Sequence, residues 1–133
     1  MKAMGDVCII DDDHIFIYGV KRLIRETAFC DELLVYHNGE DALEELKERL
    51  NNKLELPGII FLDLNMPMMT GWEFLDEYLQ IKTKDPSQTQ VYIISSSVDP
   101  KDLLKIKEYE VIRNYILKPV RIDDLEKILA EQG

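Results

Sequence analysis

The chain has 133 residues, 46% of them hydrophobic and 32% charged, with a formal net charge of −10. That length fits one domain around one hydrophobic core, and the apolar fraction excludes a disordered chain. The acidic balance argues against direct nucleic-acid binding, and no apolar run approaches the roughly 20 residues of a membrane span.

Met1-Lys2-Ala3-Met4 leads almost directly into the first apolar run, Val7–Ile10, so no signal peptide is expected. A cytoplasmic location without membrane insertion is therefore expected. The run reads as a strand buried on both faces and ends at Asp11-Asp12-Asp13. A first helix follows Asp13, a good N-cap by residue type, and runs towards Ala28. Phe16, Val20, Leu23 and Thr27 form its expected core face, with Ile15, Tyr18 and Arg22 opposite.

A second strand is expected over Leu33–His37, then a helix from about Asn38 with Leu43, Leu46 and Leu50 along one face. The third strand, Ile59–Leu62, runs into Asp63. Thr70-Gly-Trp-Glu73 is a capping-box pattern opening a third helix, with Phe74/Tyr78 and Leu75/Leu79 at helical spacing. A fourth strand spans Val91–Ser95, and Asp99-Pro100 opens a fourth helix. The fifth strand is Asn114–Leu117. A last helix covers about Ile122 to Glu131, with Ile122, Leu125, Ile128 and Leu129 inward; Arg121 is a poor N-cap for it. Cys8, in a strand, and Cys30, in a connection, read as inert thiols, and His14 and His37 are too few and scattered for zinc.

Strands alternating with helices over short links predict an α/β fold: a doubly wound, flavodoxin-like, three-layer structure around a five-stranded parallel sheet of order 2-1-3-4-5. That order makes strands 1 and 3 neighbours and aligns every strand's carboxyl end. Asp11 and Asp12, Asp63, Ser95 and Lys118 then meet on one rim. Carboxylates that close repel unless a cation holds them, so a hard metal ion is expected there, with Asp63 placed to react.

The acidic pair Asp11-Asp12, the turn Asp63-Leu-Asn-Met-Pro67 with Gly71, the hydroxyl at Ser95 and Lys118-Pro119 together resemble the receiver domain of bacterial two-component response regulators. The resemblance covers essentially the whole chain. It implies a single receiver domain over residues 1–133 without an output domain, of the stand-alone, chemotaxis-regulator type. By resemblance Asp63 is the phosphoacceptor in a phosphorelay, not the nucleophile of an enzyme. Mg2+ is the implied cofactor, held by Asp12, Asp63 and the Asn65 backbone carbonyl, with Asp11 acting through water. Ser95 and Lys118 would bind the phosphoryl group, after a cis Lys118-Pro119 bond, and Tyr115 would switch inward. Output would be altered binding at the strand 4–helix 4–strand 5 face. Implied partners are a sensor histidine kinase or phosphotransfer protein and a downstream protein target, with the chain a monomer or a phosphorylation-dependent dimer. Ile15, Tyr18 and Arg22 would dock the kinase. Asn65 and Ser97 occupy positions that tune phosphate lifetime in the family.

Three departures stand out: serine for the more usual threonine at 95, the polar Ser96-Ser97, and long links at Asn51–Pro57 and Thr83–Thr89. Other readings of the same residues are a haloacid-dehalogenase-type enzyme using Asp11 and Asp13, a flavin or nucleotide binder, and an interaction domain that merely retains receiver residues. The acidic loop after strand 1 is unlike the Gly/Ser/Thr-rich loop that a flavin phosphate needs.

Overall fold

The structure, a computed structural model, describes residues 4–82 and 89–132. In chain order its elements are β1 (Met4–Ile10), α1 (His14–Thr27), β2 (Cys30–Tyr36), α2 (Gly39–Asn51), β3 (Ile59–Asp63), α3 (Gly71–Lys82), β4 (Gln90–Ser95), α4 (Pro100–Ile106), β5 (Ile112–Leu117) and α5 (Ile122–Gln132). The five strands form one parallel sheet of order β2-β1-β3-β4-β5. Of the long links, expected at Asn51–Pro57 and Thr83–Thr89, the first runs over residues 52–58 between α2 and β3, whereas residues 83–88 of the other lie outside those described.

Successive strand residues face opposite sides, and each side is roofed by helices. Cys8, Ile10, Ile60 and Leu62 face α2 and α3, where Leu46, Phe74, Leu75 and Tyr78 are fully buried. Val7, Ile9 and Phe61 face α1 and α5, against Ile17, Val20, Leu125 and Ile128. β3 is buried at every position, as a central strand covered on both faces must be.

The helix starts follow local chemistry. Asp13 Oδ1 accepts from the amides of Ile15 (3.0 Å) and Phe16 (3.1 Å). Asn38 and Asp99 accept likewise from Asp41 and Asp102, and Thr70 and Glu73 close a reciprocal capping box. At α5 the Arg121 side chain cannot cap, but Asp124 accepts from the Arg121 amide at 2.9 Å, supplying half of a box.

Several expectations are corrected. The core stripe of α1 is Ile17, Val20 and Ile24, with Phe16, Leu23 and Thr27 only half-buried on its flank. Ile122 is 44% exposed rather than inward. Cys30 opens β2 instead of lying in a connection, and His37 falls just after that strand. β1 and β5 each begin earlier than their apolar runs. Both cysteines are free thiols; burial pushes each thiol up, Cys30 to about 11 with help from Asp31 and Asp6.

Candidate functional site

Register assembles the site. Ile10 pairs with Leu62, so the next residues, Asp11 and Asp63, emerge side by side at the carboxyl edge. Ser95 pairs with Leu117, and the Lys118 amide donates to the Ser95 carbonyl at 2.8 Å, which places Lys118 beside strand 4. The Lys118-Pro119 bond is cis, as expected.

Asp11, Asp12 and Asp63 each bring a carboxylate oxygen within 4.8 Å of the others; Asp11 and Asp63 are buried and Asp12 is exposed. Lys118 Nζ lies 2.7 Å from Asp11 Oδ2 and 4.0 Å from Asp63 Oδ2. Asp11 Oδ1 accepts from the Asp13 amide at 2.9 Å, whereas buried Oδ2 makes no hydrogen bond of acceptable geometry despite the nearby ammonium. Asp63 is pushed up to about 6, first by burial and then by the Asp11 charge; Lys118 and the Asn65 amide oppose the rise, and Asp12 adds to it. Three carboxylates on one rim, one of them raised by burial and by its neighbours' charge, are what a hard divalent cation would relieve. The donor set therefore fits magnesium.

Two features of the rim escaped the sequence. Phe16, expected in the core, puts its ring under Lys118, with Nζ 4.4 Å from the centroid. His14 and His37 stack with centroids 4.1 Å apart, bridging the start of α1 and the β2–α2 connection. A phenylalanine one turn into α1 was a visible hint of the first; the histidine pair needed the β1–β2 adjacency.

Other expected residues sit as follows. The Asn65 amide donates to Asp63 Oδ1 at a long 3.4 Å. Ser95 is buried, but its hydroxyl donates to the Ser97 carbonyl at 2.6 Å and so faces its own loop. Tyr115 is 37% exposed, on the outside of β5. Ile15 and Tyr18 project from α1, and Arg22 pairs loosely with Glu26 at 3.7 Å. Met66 is buried and Met68 exposed, both within the loop after β3. The dehalogenase-type spacing is used up structurally: Asp13 caps α1, and Asp11 is engaged by Lys118.

A family profile described as the response regulator receiver domain matches residues 7–130. The chain belongs to that family and is a receiver domain of two-component signalling. A solved two-component response regulator from Cytophaga hutchinsonii superposes with a TM-score of 0.85 at 30% identity, over 98% of this chain and 97% of that one. Among curated relatives, hybrid signal transduction histidine kinase L of Dictyostelium discoideum is 26% identical over 99% of this chain. The probable methanogenesis regulatory protein FilR2 of Methanothrix harundinacea is 24% identical over 94% of it. The chain spans 7% of the Dictyostelium kinase and 79% of FilR2. Among the described residues, no helix is long and apolar enough to cross a membrane.

Proposed function

We propose that Asp63 accepts a phosphoryl group from a phosphohistidine of a sensor kinase or phosphotransfer protein. The observation that carries this is the buried Asp63 carboxylate, raised to about 6 and set between two further aspartates and an ammonium. In the transfer an Asp63 oxygen forms the new P–O bond as the donor's P–N bond breaks, and the imidazole leaves with its nitrogen lone pair. Asp12, Asp63 and the Asn65 carbonyl would hold magnesium, with Asp11 acting through water. The ion would supply charge neutralisation on the phosphoryl oxygens. Lys118, turned from Asp11, would pair with another phosphoryl oxygen. Ser95 would leave Ser97 to donate to the same group, and Tyr115 would turn inward from its exposed position. The switched strand 4–helix 4–strand 5 face would then bind a downstream protein target. Residues 1–133 would act as a single receiver domain, in the cytoplasm.

The test is intact mass after incubation with magnesium and a small phosphodonor. Wild type gains one base-labile phosphoryl group and Asp63→Asn gains none; equal labelling overturns the assignment. Exposed Ile15 and Tyr18 support docking of the kinase on α1. Ile15→Lys should slow transfer from the cognate kinase while leaving labelling by the small donor unchanged.

A further inference from the structure

Helix α4 is attached unlike the other helices. Its 7 residues are all described and none is buried; only Ile106, partly buried, packs against the core. A surface cluster holds the helix's end to α3. Lys105 Nζ lies 5.0 Å over the Trp72 ring, and Tyr109 stacks on the same indole at 5.5 Å. The Tyr109 hydroxyl donates to Asp76 Oδ1 at 2.7 Å. Trp72 and Asp76 stand one turn apart on α3, and Lys105 and Tyr109 bracket the end of α4, so two short ladders face each other.

The opposite end of α4 leads back to the phosphoacceptor rim. Ser95 and Ser97 close a ring through their own loop, with the hydroxyl donating at 2.6 Å and the Ser97 amide donating back at 3.3 Å. If Ser95 turns to a phosphoryl group on Asp63, that ring opens and the loop up to Asp99 is freed. Whether α4 then moves depends on its other attachment.

We propose that the Trp72–Lys105–Tyr109–Asp76 cluster is a clasp that holds α4 in its resting arrangement and opens when Asp63 is modified. This rests on the phosphoacceptor reading above. Contacts made only in the resting state lower the population of the modified arrangement, so weakening them raises apparent affinity for the modifying group.

Trp72 is the one tryptophan of the chain, so its emission reports on the clasp. The full chain with magnesium is titrated with beryllium fluoride, while fluorine NMR reads occupancy at Asp63. Emission should change in step with occupancy, beyond any change caused by magnesium alone. Tyr109→Phe, which keeps the ring but loses the bond to Asp76, should bind the fluoride about threefold to tenfold more tightly. Lys105→Met, which removes the ammonium, should shift in the same direction. Unmoved emission at full occupancy, or wild-type affinity in both variants, overturns the clasp and leaves the Asp63 reading intact. No bound fluoride at saturation overturns the Asp63 reading, and the clasp with it.

Discussion

Asp63 is 5% exposed, and burial together with Asp11 lifts its carboxyl to about 6. An unfolded aspartate releases its proton near about 3.9. Between those values the folded chain holds more protons than the unfolded one. This contribution to stability is therefore full below about pH 4 and falls as pH rises through about 6. With a chelator present, Asp63→Asn should match wild type near about pH 4 and exceed it by about 1–3 kcal/mol at pH 7, read from urea melts. Equal stability at neutral pH would show that burial and the Asp11 charge do not raise Asp63 as argued. Gly71 is a different case. A Cβ there would lie 2.6 Å from the Asp63 carbonyl oxygen and 2.9 Å from Leu64 Cα, both backbone atoms. Gly71→Ala should cost about 1–3 kcal/mol in urea melts and slow labelling by a small phosphodonor, because the loop carrying Asp63 must shift.

Among the elements, α1 shows where local rules hold and where they stop. Its start at Asp13 was legible because an N-cap acts within three residues. Its buried face was not. Phe16/Val20/Leu23 and Ile17/Val20/Ile24 both fit a helical period, and only docking on the sheet selects the second. Ile122 was misplaced for a related reason: it begins α5 at the rim, where no opposing surface reaches it. The later halves of β1 and β5 were legible, but their first residues, from Met4 and from Ile112, are strand by pairing with a neighbour. The acidic trio was legible because strand order and strand ends fix it, whereas the Ser95–Ser97 bond is a matter of side-chain rotation. The end of α1 supplies a prediction as well. Ala28 caps it in the left-handed region at φ 50, where a Cβ is strained. Ala28→Gly should raise stability by about 0.5–1 kcal/mol in thermal melts, despite the entropy that glycine adds to the unfolded chain.

Across the whole molecule the net charge of −10 acts against compactness, and added salt screens it. Raising sodium chloride from low concentration to about 0.2 M should stabilise the metal-free chain by about 1 kcal/mol, roughly 3–5 °C in a thermal melt. Magnesium chloride at the same ionic strength should add a further increment in wild type, because a bound cation stabilises only the folded state. An identical response to both salts would argue against a specific site. The Lys118–Asp11 pair bears on that comparison. A positive group tied to the backbone is a counter-ion that dilution cannot remove, so the acidic rim keeps partial compensation at any cation concentration. A free ion entering there displaces a resident competitor with a fixed local concentration. Half-occupancy should therefore need more cation than bare attraction between charges would suggest, and Lys118→Met should lower the concentration at half-occupancy even as it loosens the fold.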